Sequence, residues 1–78
     1  MNNILKPTPS IQKGLDEFGK EKCLEALRLH EECEYDSITI AEELTSRHLA
    51  IHKTDFQLKL MGERMVKTGR WLKYTFNQ

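Results

Sequence analysis

Long apolar runs are missing from this chain. No stretch approaches the roughly 18 apolar residues that a bilayer-spanning helix needs, so a membrane is not an expected partner. The opening MNNILKPTPS has only a two-residue apolar core, too little for a secretory signal. Cysteine is scarce as well: Cys23 and Cys33 are the two thiols, too few for a disulfide scaffold. They lie ten residues apart on one predicted helix. That is about 15 Å of axial rise, which forbids a bridge between them. Both are expected to stay reduced, in a cytoplasmic protein.

The patterns of catalysis are also missing. There is no Gly-rich phosphate loop, no nucleophile elbow and no carboxylate pair at a defined spacing. Glu31-Glu32 and Glu42-Glu43 are neighbours, and neighbours on a helix diverge by about 100°. Neither an enzyme nor a cofactor is expected. Cys23, His30 and Cys33 spread around one helix without a C-x₂-C element. His48 and His52 share the i, i+4 spacing, but a predicted helix end falls between them. No metal site is expected; His30 should be partly buried, and His48 and His52 should lie on the surface.

An excess of either charge is lacking too, with 12 Lys and Arg against 12 Asp and Glu in 78 residues. The balance conceals two unlike halves. Residues 1–38 hold five basic and eight acidic side chains, a net −3, whereas residues 39–78 hold seven and four, a net +3. An acidic half joined to a basic half suggests one face for an anionic partner.

What is present is enough for one domain over residues 1–78. The 38% apolar content supplies a single small core, and the 31% charged content a solvated surface. Such a core is worth on the order of 5 kcal/mol net.

Residues 1–8 read as an extended lead-in. Thr8-Pro9 fits a helix start, with Thr as the cap, and PSIQKGLDEFG follows as a short helix stopped by Gly19. KEKCLEALRLHEEC is a second helix with Cys23, Ala26, Leu27 and His30 on one face and Leu24 at its edge. Ser37–Ile40 suggests a short strand. Thr39 and Glu42 then match a capping box opening a helix whose buried stripe is Ile40, Ala41, Leu44 and His48 or Leu49. A second box, Thr54 with Gln57, opens the helix DFQLKLMGERMV. KTGRWLKYTF closes the chain as a hairpin turning at Thr68-Gly69, with Leu72, Tyr74 and Phe76 on one side of the last strand.

Helix, short strand, capped helix, turn, capped helix and hairpin, over residues 20–76, resemble the winged helix-turn-helix family. TIAEEL followed by KTDFQLKLMGERM is similar to its positioning and recognition helices, and LMGERMVKTGRWLKYTF to a recognition-helix end with its wing. The connection LAIHK lacks the Gly common in the tight turn of the simplest members. The resemblance implies an α+β, mostly helical fold of three to four helices with a C-terminal two-stranded β-hairpin wing. It further implies a small DNA-binding regulator of transcription or replication, of phage or mobile-element type.

In such domains the third helix enters the major groove. The resemblance therefore implies that Lys53, Thr54, Gln57, Lys59 and Arg64 face double-stranded DNA, that Lys67, Arg70 and Lys73 grip its backbone from the wing, and that Trp71 packs on sugar edges. Neutral net charge implies weak non-specific affinity, so binding would need a dimer or a protein partner.

One feature fits a reader helix poorly. Leu58, Met61 and Met65 form one apolar stripe, and Phe56 and Leu60 form another roughly opposite. Either the N-terminal segment ILKPTPSIQKGL folds over Phe56 and Leu60, or another protein chain meets them; the first is favoured. The alternative function is a winged protein-interaction module using that face, and the alternative fold a helical bundle with a frayed tail. Gly62, costly inside a helix, suggests close approach by a neighbouring element or an early helix end.

Overall fold

The computed structural model describes residues 6–76, so residues 1–5 of the expected lead-in lie outside the described residues. The order is α1 (Pro9–Phe18), α2 (Lys20–Glu32), α3 (Ser37–Leu44), α4 (Arg47–Ala50) and α5 (Asp55–Phe76). No strand occurs among the described residues.

Local chemistry starts and stops these helices. Thr8 Oγ1 accepts from the Ile11 N–H at 3.3 Å, and Pro9 takes the first turn, as its fixed φ favours. Gly19 makes the corner between α1 and α2. Its N–H donates to the Leu15 carbonyl at 3.0 Å, and its φ of 89° lets α2 begin at the next residue. An L side chain is strained there, so glycine is required. After α2, Glu34 adopts φ 57° and the Tyr35 N–H reaches back to the Leu29 carbonyl at 3.2 Å. That closure resembles a Schellman cap and delivers Asp36 to the start of α3.

The expected strand at Ser37–Ile40 is the first turn of α3. Asp36 is its cap, Oδ1 accepting from the Thr39 N–H at 2.8 Å, so Thr39 stands inside the helix rather than opening a capping box with Glu42. The β-branched run Ile38-Thr39-Ile40 favours a strand only weakly, and complete burial of Ile40 in the core outweighs it. The helix stops at Leu44, so neither His48 nor Leu49 completes its stripe: both are exposed, His48 and His52 lying on the surface as expected. In α2, Cys23, Ala26 and Leu27 are buried as expected. Leu29 joins them while His30 is exposed, its Nδ1 3.2 Å from the Tyr35 carbonyl.

The largest correction concerns residues 67–76. The wing is not present: α5 runs unbroken from Asp55 to Phe76, 22 residues. At 1.5 Å per residue that is a rod of about 33 Å. The winged helix-turn-helix and its α+β class are overturned, and the fold is all-α. The reason lies in a seam. Leu58, Gly62, Met65, Gly69 and Leu72, all buried, recur at alternating spacings of four and three along one side of α5. Strand alternation would put Leu72, Tyr74 and Phe76 together; Leu72 is instead 2% exposed, Tyr74 67% and Phe76 59%.

Thr68 and Gly69 form no turn. Gly69 lies against the Cys23 carbonyl of α2, Gly62 against the Ser37 carbonyl of α3, and Thr68 against Gly14 of α1. Three helices thus approach α5 where side chains are smallest, and the core of Leu27, Ile40, Leu58, Met65 and Leu72 closes around those contacts.

The two thiols differ sharply. Cys33 is exposed, whereas Cys23 is buried and burial pushes its thiol up to about 11. The buried Thr68 hydroxyl lies near enough to oppose that rise, but it is outside hydrogen-bond geometry and has no partner among the described residues. A thiol reagent should therefore modify Cys33 in the folded chain and reach Cys23 only in denaturant. The raised value also has a sign. Stability from this group is complete below the unfolded value of 9.0 and declines toward about 11, because the unfolded thiol ionises first. Thermal melts across that range should show the decline, and Cys23→Ala should flatten it; an unchanged decline would assign it to another group.

Candidate functional site

The strongest candidate is the outer face of α5. Its seam side is committed to α1, α2 and α3, so the side opposite Met65 faces solvent. Phe56 and Leu60, four residues apart and therefore on one face, are 66% and 43% exposed. Tyr74 lies on the same line near the other end. Glu63, Lys67 and Arg70 are exposed between them and hold no ion pair with another described residue.

Among the described residues the expected cover over Phe56 and Leu60 is not there, and Ile4 and Leu5 of that segment lie outside the described residues. In its described part, from Lys6, the N-terminal segment packs through α1 against Gly14's partner Thr68 and through the Glu17–Arg64 ion pair at 3.1 Å. Both contacts lie beyond Leu60 along α5, because α1 must bring its one Gly to the small side of that helix. No described residue of that segment covers Phe56 and Leu60, both of which are exposed.

The nine residues expected at DNA are held in different ways. Thr54 and Gln57 cap α5 reciprocally: the Thr54 N–H donates to Gln57 Oε1 at 2.8 Å and the Gln57 N–H to Thr54 Oγ1 at 3.1 Å. That box was legible in the sequence, and it occupies the side chain expected to read adenine. Arg64 is held by Glu17 of α1, and Lys73 by Glu31 of α2 at 3.4 Å. Trp71 is half-buried and meets the Phe76 ring edge-on, centroids 6.3 Å apart. Lys53 and Lys59 are exposed near the start of α5, and Lys67 and Arg70 farther along. At 100° per residue, Arg64, Lys67, Arg70 and Lys73 precess about 60° at each step. They wind around the rod rather than forming the cationic ridge that a wing would gather.

Other sites carry less. His48 and His52 do meet, edge to face at 5.3 Å, but no third His, Cys, Asp or Glu joins them among the described residues. A groove of about 410 Å³ between α3 and α4 is lined by Thr39, Glu42, Glu43, Arg47, Ala50 and Ile51, with neither a thiol nor an imidazole. No described helix is long and apolar enough to cross a membrane. No family model, curated protein or solved structure matches this chain.

Sequence reasoning had the apolar part of the outer face, through the Phe56/Leu60 stripe. It missed Tyr74, because a hairpin reading placed that ring beside Leu72. A helical period carried on past Gly69 would have found it.

Proposed function

We propose that the chain is a small cytoplasmic, non-enzymatic interaction module that docks a protein partner on the outer face of α5. The observation that supports this most is the alignment of exposed Phe56, Leu60 and Tyr74 along α5, packed against no core residue among the described residues. Exposed apolar side chains are ordinary singly. A row of them with charges between is what a docking helix presents. The free, exposed thiol of Cys33 suits a reducing compartment.

A duplex-DNA reading has weaker support. It retains Lys53, Lys59, Lys67 and Arg70 as outward cations but loses the wing and the base-reading role of Gln57.

A photo-crosslinking residue at position 56 should give a discrete protein adduct in cells producing the chain, and Leu60→Asp should remove it. The same probe at exposed Glu21 on α2 should give none. Phe56→Asp should leave stability within about 0.5 kcal/mol, since the ring is exposed. Absence of any protein adduct from position 56 would end this reading. Salt-sensitive amide shifts of Lys67 and Arg70 on adding duplex DNA would favour the other.

A further inference from the structure

The outer face of α5 has an order that a list of its residues conceals. Counting from Met65, which points into the core, Glu63 and Lys67 lie two residues either side. Leu60 and Arg70 lie five either side, and Phe56 and Tyr74 nine. At 100° per residue each of these positions falls within about 40° of the line opposite Met65. Between the last two pairs, Leu58 and Leu72, seven either side, fall on the inner seam and are buried. Positions equidistant from a helix residue are always symmetric about it; what is particular to this face is that its chemistry is complementary across the midpoint. An acid is matched with a base, an aliphatic side chain with the long stem of an arginine, and an aromatic ring with another.

From this we infer that the partner of this face is a second copy of the same chain, its α5 packed antiparallel across a two-fold axis level with Met65. In that arrangement a residue meets the one equidistant on the other side of the midpoint. Glu63 faces the partner's Lys67, and Lys67 the partner's Glu63. Phe56 meets the partner's Tyr74 at each end, about 27 Å apart along the pair. Leu60 lies beside the stem of the partner's Arg70, whose guanidinium stays in solvent. A parallel pair would instead set Glu63 near Glu63 and Lys67 near Lys67, so the charge order selects the antiparallel one. None of these six side chains has an ion pair or hydrogen bond to another described residue that dimerisation would have to break. The surface is one helix wide, and the dimer is accordingly weak and concentration-dependent.

The inference rests on the interaction reading above, and its tests separate the two. Sedimentation equilibrium from micromolar to millimolar chain should show a monomer–dimer equilibrium. Lys67→Glu, which sets like charges against each other at both symmetric sites, should weaken it by roughly tenfold or more. Adding Glu63→Lys to Lys67→Glu should restore it, because the pattern stays self-complementary. Far-UV circular dichroism of each variant confirms that the helices persist. In a Cys33→Ser background, mixed Phe56→Cys and Tyr74→Cys chains should form a disulfide-linked dimer, while Phe56→Cys alone should not. A monomer at millimolar concentration, a dimer indifferent to Lys67→Glu, or crosslinking of position 56 to itself would overturn the antiparallel dimer. A photo-adduct from position 56 at a mass other than twice the chain's 9.2 kDa would overturn it too, yet leave the docking face standing.

Discussion

Alanine at Gly62 or Gly69 will strip this chain of much of its stability, although both positions lie inside a helix. On helix propensity alone each substitution should gain about 1 kcal/mol. The tertiary structure reverses the sign. A β-carbon on Gly62 would overlap the carbonyl oxygen of Ser37, and one on Gly69 the carbonyl oxygen of Cys23 while pressing on Leu27. A side chain can swing aside; a helix backbone cannot. Relief requires α3 or α2 to withdraw from α5, which opens the core around Met65 and Ile40, both fully buried. Overpacking of this kind costs about 1–3 kcal/mol even where side chains can adjust. Against a total on the order of 5 kcal/mol, a net loss of about 2 kcal/mol per site is severe. Thermal melting followed by circular dichroism should show each midpoint fall by about 10 °C. The double variant should lose the dispersed NMR spectrum of a folded chain. A higher melting temperature for either single variant would show that the helices do not meet at these glycines.

Lys67→Pro is the second substitution with a large expected effect, and it distinguishes a continuous rod from a hairpin. Lys67 is exposed and its side chain has no hydrogen bond or ion pair among the described residues, so only the backbone is tested. In mid-helix, proline removes one backbone hydrogen bond and its ring strikes the carbonyl four residues earlier, here that of Glu63, a loss of about 3 kcal/mol or more. The break would fall between Met65 and Leu72 and uncouple α2 from α3 along the seam. Lys67→Pro should therefore abolish the cooperative melt and lower helical ellipticity, while Lys67→Ala leaves both unchanged. On the edge strand of a wing, proline at the same place would be tolerated. A cooperative melt near that of the unaltered chain would argue against an unbroken α5.

Much of the local structure is written in short stretches of the sequence. The Thr8-Pro9 start, the stop at Gly19 and the reciprocal Thr54/Gln57 box each depend on groups within four residues, and each stands in the structure. The amphipathic face of α2 was legible through Cys23, Ala26 and Leu27, while the cost of Gly62 inside a helix left close approach and an early helix end both open, and the structure shows the first. The second apolar stripe, Phe56 and Leu60, was likewise visible from periodicity, because both candidate folds kept that stretch helical, although the favoured reading placed it under the N-terminal segment.

The end of the chain was decided elsewhere. Thr-Gly between basic residues and alternating aromatics is a hairpin signal when only neighbours are considered, and Ile-Thr-Ile is a strand signal on the same terms. What overrides both is burial at a distance. Gly69 is in place because the Cys23 carbonyl, far away in sequence, occupies the space a side chain would fill, and Ser37 does the same at Gly62. Those contacts make small residues favourable in a helix that propensity disfavours, and the seam they complete carries α5 to Phe76. Unbroken, that helix also brings Tyr74 into line with Phe56 and Leu60. Sequence alone thus determined the helix starts at Thr8 and Thr54 and the existence of a second apolar stripe on α5. Only the packing of α1, α2 and α3 on α5 determined that the outward stripe runs the full length of one rod, because that choice depends on contacts between residues dozens of positions apart.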